Sequence, residues 1–107
     1  MSRRSKQSEF MICVADLILW AHGEGFGLTG GDLWRSPEEC IRRGKEDSVH
    51  GMRLAIDLNL IIDGDYISDG EAHRPMGEFW KSLHDDACWG GDWGDGNHYS
   101  FEHQGQK

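Results

Sequence analysis

Apolar residues along this chain recur first at helical spacing, then in strict alternation, then at helical spacing again. Phe10, Cys13, Val14, Leu17, Ile18 and Ala21 fall on one helical face, which predicts a helix over residues 8–21. Ser8 can cap its start and Gly23 marks its stop. Residues 24–34 read as loop with room for a short strand. Ser36-Pro37-Glu38-Glu39 then supplies a cap, a proline at the first helical position and an acid three residues after the cap. That helix should run to about Arg43 and end at Gly44.

Arg53 to Ile62 gives the clearest strand, with Leu54, Ile56, Leu58 and Leu60 on one face and Ala55, Asp57 and Asn59 on the other. Asp63-Gly64 is a turn signal, so Asp65–Ser68 returns as the second strand of a hairpin. Pro75 to Leu83 reads as a helix burying Met76, Phe79, Trp80 and Leu83. Residues 85–97 read as loop, and His98 to Glu102 as a final strand. The expected fold is α+β, a small antiparallel sheet with helices packed on it.

At 107 residues the chain suits a single domain, with residues 1–7 expected as a frayed, solvated tail. Such a domain is marginally stable, so a bound metal would add usefully to it. The formal net charge of −8 argues against a nucleic-acid partner, which needs a basic face. The apolar stretch 10–21 is too short to span a bilayer, and no signal cleavage site follows it, so no membrane association is expected. Cys13, Cys40 and Cys88 are odd in number and lack ligand spacing, which predicts unpaired thiols and a cytoplasmic, reducing compartment. A monomer is expected.

A carboxylate in the middle of an apolar strand is costly to bury without a partner, and Asp57 stands there. His50 precedes it by seven residues, which on a straight strand would place the two side chains on opposite faces. A turn around Gly51-Met52 removes that obstacle, and a His/Asp pair suits Zn²⁺. A catalytic zinc site takes a third protein ligand. His22, His73, His84, His98 and His103 are the candidates. His98 stands out because it closes the run Trp89-Gly90-Gly91-Asp92-Trp93-Gly94-Asp95-Gly96-Asn97, with Asp95 three residues before it. Asp92, Glu102 and His103 remain rivals for the base and third-ligand roles. Trp89 and Trp93 either line the cleft or pack in the core.

Ser48-x-His50, Ala55-x-Asp57, the Trp89–Trp93 run and Asp95-x-x-His98-Tyr99 together resemble the M15 metallopeptidases, in particular phage-type L-alanyl-D-glutamate endopeptidases. The resemblance spans about residues 33–103. It implies a hedgehog/D,D-peptidase-like domain with His50, Asp57 and His98 as zinc ligands and Asp95 as catalytic acid/base. Trp34-Arg35-Ser36 resembles the family's arginine element, which makes Arg35 an oxyanion or substrate-anchoring residue. The implied substrate is the peptide stem of bacterial peptidoglycan, reached after release of the enzyme from the cell that makes it. One departure stands out: the glycine of the family's first motif falls at Arg53, whereas glycine here stands at Gly51. From other classes, a non-catalytic metal-binding or cell-wall-binding module is the main competing reading. A metal-dependent nuclease is a weaker one, given the acidic balance.

Overall fold

The computed structural model describes residues 2–107. Helix α1 (Arg3–Gly23) leads into strand β1 (Gly27–Gly30), then α2 (Pro37–Arg42), the long strand β2 (Ala55–Ile62) and its hairpin partner β3 (Asp65–Ile67). A 3₁₀ turn at Gly70–His73 opens α3 (Arg74–Lys81), followed by β4 (Ala87–Trp89), a second 3₁₀ turn at Gly90–Trp93 and β5 (His98–Phe101). The result is the α+β arrangement expected, one five-stranded antiparallel sheet with three α-helices.

β2 organises the sheet. Its residues 58–61 pair with β1, its residues 60–62 with β3, and its residues 55–57 with β5, which carries β4 on its other edge. The β2–β3 connection is the Asp63-Gly64 turn, with φ of 52° and 83°. Two consecutive positive φ values fit the tight hairpin turns that favour Asp-Gly. Leu54, Leu58 and Leu60 are buried as the alternation requires, and Ile56 is half-buried.

The core lies between this sheet face and the helices. Phe10 of α1 meets the rings of Trp80 and Phe101 edge-on, with centroids 5.6 and 5.2 Å apart. The Trp80 indole N–H lies 3.0 Å from the Cys88 carbonyl and 3.2 Å from that of Ser100, fixing α3 over β4 and β5.

Two parts of the chain depart most from the sequence expectation. Residues 3–7 are helical, because Ser2 rather than Ser8 caps α1 and accepts from the Ser5 N–H at 3.1 Å. Lys6 then donates to the Glu102 carbonyl at 2.6 Å and Gln7 to the Met52 carbonyl at 2.7 Å, so residues 3–7 of the expected tail belong to a helix tied to the domain. The helix ends at Gly23, the residue that marked its stop, two residues past the expected 21: the Phe26 N–H bonds Ala21 and the Gly25 N–H bonds His22, with Gly25 at φ 85°. That is a Schellman end. The second difference is β4 and its 3₁₀ turn, which occupy part of the expected 85–97 loop.

His73 is buried with its Nδ1 2.8 Å from the Tyr99 hydroxyl. Burial pushes the imidazole pKa below its ordinary value, with Asp69 opposing the shift weakly. A folded pKa below the unfolded one, about 6.5, means the unfolded chain takes up the proton first. Stability should therefore fall as the pH drops below about 6.5 and level off once below the folded pKa. His73→Gln should flatten that slope, as read from urea midpoints between about pH 7 and pH 5. An unchanged slope would place the proton uptake elsewhere.

Candidate metal centre

The segment before β2 brings His50 back towards Asp57. The amides of Gly51, Met52 and Arg53 bond the carbonyls of Ser48, Val49 and His50, and Leu54 closes onto Val49 at 2.9 Å. The 53→50 and 54→49 pair is another Schellman pattern, with Val49 and Leu54 both buried beneath it. The residue at its left-handed position is Arg53, at φ 58°, where glycine is usual. The turn expected near Gly51 is therefore present, and its left-handed residue is Arg53. Arg53 is exposed and lays its guanidinium 4.9 Å from the centroid of the Trp34 ring. Of two variants that both lose this stacking, Arg53→Gly should exceed Arg53→Ala in stability by about 1 kcal/mol. Equal urea midpoints would show that the turn carries no left-handed strain.

Asp57 and His98 face each other across β2 and β5. The Asp57 amide and carbonyl bond in the opposite direction, to Asp32 and Gly31 in the continuation of β1. The Asp57–His98 pair is thus non-hydrogen-bonded, the antiparallel geometry that brings facing side chains closest. Asp57 Oδ1 lies 3.3 Å from His50 Nε2 and 3.5 Å from His98 Nδ1. Both imidazoles are buried, and the carboxylate is half-buried.

The tautomer of His50 follows from its other nitrogen. Nδ1 lies 3.2 Å from the Leu33 carbonyl oxygen, which can only accept, so Nδ1 carries the proton. In a neutral ring, Nε2 then directs a lone pair at a carboxylate oxygen. Those two groups repel unless a cation stands between them, a proton or a metal ion. Burial by itself would raise the Asp57 pKa, but the His50 and His98 imidazoles outweigh it and hold the carboxyl well below the ordinary range.

The separations also match coordination. Donors about 2.0–2.1 Å from a tetrahedral ion stand about 3.3–3.4 Å apart. The three donor atoms lie within 4.8 Å of one another, and this is the only such group among the described residues. His50, Asp57 and His98 could together hold a metal ion. A backbone carbonyl fixing the outer nitrogen of a ligating histidine is the usual supporting contact.

Around the triad opens a cleft of about 370 Å³, lined among others by Arg35, Lys45, Ser48, Trp93 and Asp95. Asp95 is exposed at its edge, Oδ2 4.0 Å from His98 Nδ1. Arg35 is buried against the other side, held by Asp32 Oδ2 at 3.0 Å, with its guanidinium 4.0 Å from Asp57 Oδ2. Trp93 is 44% exposed and meets the His98 ring edge-on at 5.8 Å, so it lines the cleft. Trp89 is fully buried, its indole N–H donating to the Gly96 carbonyl at 2.7 Å, so it braces the loop.

The competing candidates have other partners. Asp92 pairs with Lys81 at 3.0 Å, His84 with Glu9 at 2.9 Å, and Glu102 accepts from the Gly105 amide. His103 bridges to Gln106, His73 faces Tyr99, and His22 sits in the last turn of α1. Three contributors were missed. Asp32 stands three residues before Arg35, a spacing that could have exposed it. The Leu33 carbonyl is backbone and gives no side-chain signal. Lys45 also lines the cleft, with nothing in its neighbourhood to mark it. No helix is long and apolar enough to cross a membrane among the described residues. Searches of protein-family models, curated proteins and solved structures found no match to this chain.

Proposed function

We propose that this chain is a zinc-dependent peptidase of the M15 type that cuts the peptide stems of bacterial peptidoglycan. The observation that carries the reading is the convergence of three donors beside the cleft, with Asp57 Oδ1 3.3 Å from His50 Nε2 and 3.5 Å from His98 Nδ1. Two imidazoles and one carboxylate are a donor set that suits zinc, and three protein ligands leave a coordination position open. An open position facing a cleft favours catalysis over a closed structural site. The left-handed Arg53 at the family's glycine position supports the resemblance on independent, conformational grounds.

Bound at this triad, zinc would supply Lewis acidity, polarising the scissile carbonyl and activating water. The chain's own residues do the rest. Asp95, exposed beside the triad, takes the proton from the attacking water and returns one to the departing amine. Arg35, held by Asp32, offers N–H groups to developing oxyanion charge or to a substrate carboxylate. The Leu33 carbonyl keeps the Nδ1 proton of His50 in place, so Nε2 stays available. Trp93 supplies an apolar wall on the His98 side of the cleft.

Purified protein should carry about one zinc per chain, and incubation with cell walls should release stem peptides with new termini that mass spectrometry identifies. His98→Ala should lose most of the metal. One equivalent of zinc with no release of peptides at any pH would favour a metal-binding wall module instead.

A further inference from the structure

Helix α1 is apolar on two opposite faces. Phe10, Cys13, Val14, Leu17 and Ala21 are buried against the core. Met11, Ile12, Ile18 and Leu19 point outward and are 49, 62, 41 and 70% exposed. With exposed Ala15 between them, these positions form one stripe at 3–4-residue spacing, continued by Ser8 towards the start and His22 towards the end. A helix on a protein surface ordinarily carries polar residues there, and one that is apolar all round is covered on both sides. A contiguous exposed stripe of large aliphatic side chains marks an interaction surface.

We propose that this stripe is the contact of a homodimer, in which α1 of one copy packs antiparallel on α1 of a second about a two-fold axis at Ala15. The small central residue allows the backbones to approach closely. A two-fold axis there sets Met11 against Leu19 and Ile12 against Ile18 of the other copy, so every large exposed residue of the stripe finds an apolar partner. Ser8 then meets His22. Such a self-complementary patch is what a two-fold interface requires.

Charge selects the partner and the direction. The first turn of α1 holds Arg3 and Arg4 and no acid, although a helix N-terminus favours negative charge. In the antiparallel pair this basic end lies beside the carbonyl end of the other helix, where Glu24 forms the cap. A parallel pair would bring the arginines of the two copies together. The overall charge of −8 disfavours an anionic membrane surface as the occupant. The dimer departs from the monomer expected from the sequence.

Sedimentation equilibrium on the full chain should give a dimer at tens of micromolar, and Ile12→Glu with Leu19→Glu should raise its dissociation constant at least about 100-fold. Both residues are exposed, so circular dichroism should not change, nor should the thermal midpoint at concentrations too low for the parent to dimerise. Ala15→Cys keeps every large residue of the stripe and should form an intermolecular disulfide under mild oxidation, above the background of the parent. Mixed Ser8→Cys and His22→Cys chains should cross-link to each other rather than to themselves. A monomer at about 500 µM, a dimer indifferent to the two glutamates, or cross-links of Ser8→Cys only to itself would each overturn the proposal. So would a monomer whose stripe binds vesicles of phosphatidylcholine and phosphatidylglycerol.

Discussion

Asp95→Asn should keep its zinc and its fold while releasing stem peptides about 10²–10⁴-fold more slowly, the usual cost of a lost general base. The carboxylate is exposed at the cleft edge, with Oδ2 4.0 Å from His98 Nδ1. It is not one of the three donors that cluster within 4.8 Å of one another. An amide of the same shape removes its basicity and disturbs nothing buried. Asp57→Asn makes the contrast, because the oxygen shared by both histidines then belongs to a neutral amide. Metal content should fall in that variant, and activity with it. The pair is best measured side by side, by elemental analysis and by peptide release. Zinc lost from Asp95→Asn would make Asp95 a ligand, and parental turnover would pass the base role to another group.

Gly90→Ala should destabilise the domain by about 3 kcal/mol, at the upper end of overpacking costs. A methyl there would stand 2.1 Å from the Asp95 carbonyl oxygen and 2.7 Å from His98 Cβ. Neither obstacle is the free end of a side chain, so neither can swing aside. The Asp95 amide also bonds the Gly90 carbonyl at 2.8 Å, so relief means reopening the loop that carries Asp95 and His98. Urea midpoints should move strongly for Gly90→Ala and little for Gly30→Ala, where an added methyl meets open space. A small shift at Gly90 would mean that the loop relaxes freely.

Local chemistry made much of this structure readable. Ser36 and Pro37 start α2 where a cap and a first-turn proline say they should, and the Ser36 hydroxyl accepts from the Glu39 amide. Asp63-Gly64 turns the hairpin, and the alternation of Leu54 to Leu60 sets the buried face of β2. Where the determinants were long-range, the reading failed. Ala87-Cys88-Trp89 is too short for periodicity and becomes a strand only because β5 lies beside it. The start of α1 depends on contacts that Lys6 and Gln7 make with residues far along the chain. In the site, His50, Asp57 and His98 could be picked out by residue type and order, and Asp32 by its spacing from Arg35, whereas the Leu33 carbonyl acts through the three-dimensional path alone. The Arg53 turn was half legible. Gly51 and Met52 marked the place, but only the backbone shows that Arg53 takes the left-handed conformation.

The triad is unevenly supported, and this bears on how an ion would come and go. Asp57 and His98 sit on paired strands, with β1 closing the far edge of β2, so separating them means opening the sheet. His50 rides on a turn over residues 48–54 that lies outside the sheet. Segments of that kind open at lower free energy than central strands. An arriving ion would meet two donors already in register and wait for the third to swing home. Departure would run in reverse, with the 48–54 turn as the door. Release to a chelator should then be much faster than global unfolding, and substitutions that tighten that turn should slow it.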